Sequence, residues 1–96
     1  MYGIGHWTFL TNHAHVLLCI ARDPDLRLRE IAELVGITER AAQRIVRELA
    51  DEGYVEITRT GRRNHYTVLA DQPLRHPVEA GTSVHDLILL AVGVKV

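Results

Sequence analysis

The sequence predicts a mainly α-helical domain with a three-helix core, a small β-hairpin behind it and an added helix at the C-terminal end. Three observations lead there. Between residues 11 and 52 lie three stretches whose apolar side chains recur every three or four positions, each closed by a proline or a glycine. Residues 54–69 alternate apolar and polar on both sides of a polar tip that contains Gly61. Near the end, Ser83-Val84-His85-Asp86 has the form of a capping box and opens onto the apolar run Leu87 to Val92. At 96 residues, 47% hydrophobic and 24% charged, the chain has room for one ordered domain. A domain this short buries a modest core, so exposed apolar stretches point to a partner subunit.

The elements follow in order. Residues 1–10 carry Tyr2, Trp7, Phe9 and Leu10 among glycines and read as an irregular arm that docks its aromatics on the body or on a partner chain. Thr11 caps a first helix, Asn12 to Arg22, with Ala14, Leu17, Leu18 and Ala21 on its apolar side. Asp23-Pro24 stops it, because the residue before a proline is pushed out of the helical region. The alternation of Leu26-Arg27-Leu28 predicts a very short strand. A second helix runs from about Arg29 to Val35, with Ile31, Ala32 and Val35 inward, and ends at Gly36. Thr38 caps a third helix that runs to Glu52 and ends at Gly53. Tyr54 to Thr58 and His65 to Leu69 are the hairpin strands, and Thr60 to Asn64 is its tip. Residues 70–81, with Pro73, Pro77 and Gly81, read as an extended connection; residues 82–96 hold the last helix, Val84 to Val92, ending at Gly93.

The function lies in the link between the second and third helices. Ala32 is small where the two cross closely, and Gly36 permits a left-handed backbone in the turn. Ile37 plugs the turn into the core, and Thr38 satisfies free amides at the start of the next helix. Two helices joined through Gly36-Ile37-Thr38 are a helix-turn-helix. At about 100° per residue, Ala42, Ile45, Val46 and Leu49 fall on one face of the third helix. Arg40, Gln43, Arg44 and Arg47 cluster on the opposite face. Arg pairs with guanine and Gln with adenine through two hydrogen bonds, so this face suits base reading; a solvated surface is the plainer account of it. Arg59, Arg62 and Arg63 gather at the hairpin tip, where they can grip phosphates or enter a narrow minor groove, or merely keep the loop soluble.

The run Leu28 to Val55, with the tip Arg59 to Tyr66, resembles the winged helix-turn-helix regulators, in particular the MarR-like and arsenic-repressor-like groups. The resemblance covers residues 11–69 and departs from the family at Arg27 and Ala42. It implies that the third helix, 38–52, enters the major groove of duplex DNA while the wing, 59–65, touches the backbone or the minor groove. On that reading Arg40, Gln43 and Arg44 read bases, Thr38, Arg47, Arg62 and Arg63 hold phosphates, and Glu39 and Arg59 lie at the same surface.

Charge bears on this reading. Eleven basic and twelve acidic residues give a net charge of −1, where DNA binders usually show a basic excess. Ten of the eleven bases are Arg, suited to phosphate and guanine, though genomic codon bias produces the same count. Glu48, Asp51 and Glu52 sit at the C-terminal end of the third helix, away from the groove-reading half. The neutral total leaves open an alternative, a winged-helix module that binds protein and not DNA. For an enzyme no phosphate loop, nucleophile elbow or metal motif is present, and no cofactor is expected. The six histidines are scattered; His13 and His15, two apart on a helix, point away from each other, so no metal site is expected. Cys19 is alone, which excludes an internal disulfide and suits core packing in a reduced cytoplasm. No signal peptide is visible, and Leu87–Val92 is too short to span a membrane. Because its apolar residues are consecutive, the last helix is expected to form a homodimer through Leu87, Ile88, Leu90 and Ala91, with Trp7 and Phe9 from the arm. Any small-molecule effector, unknown in kind, would bind at that interface or under residues 70–81.

Overall fold

Helix α1 (Asn12–Arg22) starts where the Thr11 hydroxyl accepts the amide of Ala14 and stops at the extended Asp23. The computed structural model describes residues 7–93; Tyr2 and most of the N-terminal arm lie outside the described residues. Helix α2 (Leu28–Val35) ends at Gly36, whose φ of 87° is the left-handed value the turn demands. Helix α3 (Glu39–Asp51) is capped by Thr38, which accepts from Ala41 N–H at 3.0 Å. Strands β1 (Val55–Thr60) and β2 (Arg63–Val68) pair antiparallel, with Ile57 opposite Tyr66 and Thr60 opposite Arg63. Only Gly61 and Arg62 remain as the loop. Gly61 takes φ 62° and Arg62 stays negative, the pattern of a type II′ turn that follows the strand twist.

The three helices and the hairpin close over one core. Val16 and Ile20 of α1, Ile31 of α2 and Ala42 of α3 are almost fully buried. Helix α4 (Val84–Ala91) adds Val84 and Ile88 to the same cluster. Its start is the capping box read from sequence: Ser83 Oγ accepts from Asp86 N–H at 3.2 Å, and Asp86 accepts from Ser83 N–H at 3.0 Å. Those bonds hold the Asp86 carboxyl below its ordinary pKa.

Two local expectations are corrected. Leu26–Leu28 is no strand: Leu28 already belongs to α2, and Glu30 reaches back to accept Arg27 N–H at 2.8 Å. Leu26 and Leu28 pack on the core from either side of that cap, which produces the alternation without a β ladder. Residues 70–81 do not run simply extended. They turn through a short 3₁₀ segment, Pro77–Glu79, and fold back so that Pro73 bridges Ser83. Leu74 N–H donates to Thr82 O and Val84 N–H to Gln72 O, while Tyr54 Oη donates to Pro73 O, which holds this strap against the body.

Candidate nucleic-acid interface

Helix α3 divides cleanly into two faces. Ala42, Ile45, Val46 and Leu49 are buried, and Arg40, Gln43, Arg44 and Arg47 are exposed, as the helical period requires. The four exposed side chains and Thr38 line one shallow hollow on the surface. Glu39, in the first turn, is exposed beside them and faces the positive end of the helix dipole. The positions read in the turn pack inward: Ala32 is buried, and Ile37 is half-buried against the core.

Arg44 is not alone on its face. Its guanidinium lies 3.4 Å from Glu48, one turn on, and the same carboxylate accepts His13 Nε2 at 2.7 Å. The His13 hydrogen bond is the main reason the Glu48 carboxyl is held below the usual carboxylate range, with Arg44 adding to it.

At the wing the three arginines separate into different roles. Arg62 stands exposed at the tip. Arg59 Nε donates to Gly61 O at 3.2 Å and so braces the turn. Arg63 Nη2 donates to Asp25 O at 2.8 Å, which ties the wing to the α1–α2 loop. His65 Nδ1 donates to Asp25 Oδ1 at 2.7 Å from the same strand, and Tyr66 N–H donates to Pro24 O. Asp25 and His65 form a wing anchor that sequence reasoning missed. The two are 40 residues apart, and no local pattern joins them.

The residues expected at a dimer contact also separate. Phe9 and Trp7 are 91% and 67% exposed and pack edge to face, with ring centroids 4.9 Å apart. Leu90 is 86% exposed and Ala91 is exposed, while Leu87 is half-buried. Ile88 is 0% exposed, so the structure puts it in the domain's own core with no surface to offer a second copy. Leu89, 42% exposed, borders Leu90 on the outer side.

Among the described residues, no three His, Cys, Asp or Glu side chains converge to hold a metal ion. Cys19 is half-buried, and burial raises its thiol pKa. No described helix is long and apolar enough to cross a membrane.

Three helices, a helix-turn-helix link and a two-stranded wing make this a winged helix-turn-helix domain with a fourth helix packed on it. Residues 11–56, just under half of the chain, match the family described as winged helix-turn-helix DNA-binding, a stretch that ends inside β1 and includes all of α3. The match rests on the helix-turn-helix and the first residues of the wing. No curated protein matches the chain.

Proposed function

We propose that the protein is a non-enzymatic, cytoplasmic transcriptional regulator that binds duplex DNA in a sequence-dependent way, on the plan of the MarR-like winged-helix proteins. The observation that carries this reading is the exposed face of α3, where Arg40, Gln43, Arg44 and Arg47 share one hollow behind a turn built to present it. Arg40, Gln43 and Arg44 read base edges in the major groove; Thr38 and Arg47 hold phosphates beside them, with Glu39 at the same surface. Arg62 reaches a phosphate or the minor groove from the wing tip, while Arg59 and Arg63 shape and anchor the wing that carries it.

Dimerisation completes the proposal. Leu89, Leu90 and Ala91 on α4, with Trp7 and Phe9, leave apolar surface in water that a two-fold related copy covers. Two α3 helices then meet half-sites about one DNA turn apart on a near-palindrome. Removal of the chain beyond Gly81 is a poor probe of this, since it takes Val84 and Ile88 out of the core. Sedimentation of Leu90→Glu is the sharper one: the variant stays folded and runs as a monomer where the parent is a dimer. A parent that is monomeric at tens of micromolar sinks the dimer.

The DNA reading is tested by titrating duplexes at several salt concentrations. Affinity falls steeply as salt rises, because phosphate contacts release counterions. Absence of binding to any duplex at low salt refutes it and favours a protein-binding winged helix.

A further inference from the structure

Between α1, the C-terminal end of α3 and the strap at residues 74–79 lies a groove of about 850 Å³. Its floor is apolar: Leu17, Leu49 and Val84 are buried there, with Leu74 and Leu87 half-buried. The volume is that of pockets which take small organic ligands. Carboxylates dominate the rim. Glu48, Asp51, Glu52 and Glu79 stand around it, against a single guanidinium, Arg75, which lies 3.7 Å from Glu52. His13 and His76 are the other basic groups on the rim; His13 bonds Glu48, and His76 Nδ1 accepts the Val78 amide. Aromatic surface joins the carboxylates. Phe9 and Tyr54 line the groove, and the Phe9 ring is nearly all in solvent.

We infer that this groove binds an amphipathic organic cation, a ligand with an apolar or aromatic body and a delocalised or quaternary positive charge. Each part of the site selects one property of that ligand. The half-buried Leu10, Leu74 and Leu87, which keep surface open to the groove, take the body. The carboxylate excess attracts positive charge and repels anions. Aromatic rings attract cations through their negative faces, most strongly those without a tight hydration shell. A compact metal ion does not fit, because among the described residues no three ligands converge. A second copy of the chain docked groove to groove fits poorly, since a two-fold axis there sets carboxylates against carboxylates. Glu48 belongs to the groove and also holds Arg44, so an occupant would be felt at α3. That coupling rests on the DNA reading; binding in the groove does not.

The test uses the full chain without DNA. Tetraphenylphosphonium and its near-isosteric anion tetraphenylborate are titrated by calorimetry, with amide chemical shifts recorded for the phosphonium. The expected result is saturable binding of one phosphonium per chain, with shifts at Ala14, Leu49 and Leu87. The anion binds about tenfold or more weakly, the weight of one close charge pair. The double variant Asp51→Asn, Glu79→Gln, both positions outside the core, weakens the phosphonium by a similar factor and leaves the thermal midpoint in place. Equal affinity for both ions means a merely greasy surface and overturns the proposal. So do shifts confined to α4 and Trp7.

Discussion

The two ends of α3 expose side chains of opposite charge. After the exposed Glu39 of the first turn, the exposed side chains up to residue 47 are Arg40, Gln43, Arg44 and Arg47; from there to the C-cap they are Glu48, Asp51 and Glu52. The first group lines the hollow proposed for DNA, and the second rims an apolar groove. A net charge of −1 for the whole chain hides this separation. A polarised domain approaches a polyanion in one orientation, because the acidic end is repelled while the basic end is drawn in. The basic end follows a turn and a cap, Gly36 and Thr38, whereas the acidic end is neighboured by Arg75 of the strap and Leu87 of α4, which come from the far end of the chain.

The largest expected effect tests that last point. Ile88→Ala removes a fully buried side chain from the place where α4 meets the core and costs about 2–5 kcal/mol of stability in urea unfolding. The neighbouring Leu90→Ala changes unfolding of the isolated monomer by less than about 0.5 kcal/mol, since its side chain is in solvent. Similar losses at both positions would mean that α4 does not present one buried and one open side.

The next effect belongs to the basic end. Arg44→Ala loses about 1–3 kcal/mol of affinity for the preferred duplex and relaxes the preference at one base position. Stability should hardly change, because the Arg44–Glu48 pair is exposed. An equal loss on every duplex would reassign Arg44 from bases to phosphates.

Much of this domain was legible because its signals are local. Gly36, Thr38 and the Ser83–Asp86 box each act within four residues, and the buried stripe of α3 follows from its period alone. The exposure of Arg40, Gln43, Arg44 and Arg47 was legible for the same reason, as the surface opposite that stripe. What escaped the sequence is long-range or ambiguous in period. Asp25 meets His65 and His13 meets Glu48 across 40 and 35 residues. Leu26-Arg27-Leu28 fits a strand period as well as a loop entering a helix, and Glu30 as acceptor for the Arg27 amide was the signal that could have decided it. Six consecutive apolar residues at 87–92 announced a covered helix but not which side its own core takes. Ile88 turned inward and Leu90 outward through packing that no window of sequence contains.

A smaller effect concerns the cap that starts α3. Thr38→Ala leaves the Ala41 amide without its acceptor and costs about 1 kcal/mol of stability. On DNA the same change should cost more than that figure at low salt, since the hydroxyl and the helix N-terminus are proposed to meet a phosphate. If the affinity of the folded variant is unchanged, Thr38 is a cap and nothing else.

The smallest effect separates two adjacent arginines at the wing tip. Arg62 is exposed, so a phosphate contact made by it releases about one counterion, and Arg62→Ala should flatten the log affinity against log salt plot by about 0.9 units. Arg63 is already committed to the Asp25 carbonyl at 2.8 Å. Its removal should barely change that slope, but it frees the wing from the α1–α2 loop. The expected sign is faster amide exchange in β2, around His65 and Tyr66, where the other two links to residues 24 and 25 remain. The contrast is therefore between a slope and a dynamic signature in side chains one residue apart. Equal slopes for the two variants, with no change in exchange, would show that Arg63 leaves Asp25 to join the phosphates and that the wing is anchored by His65 and Tyr66 alone.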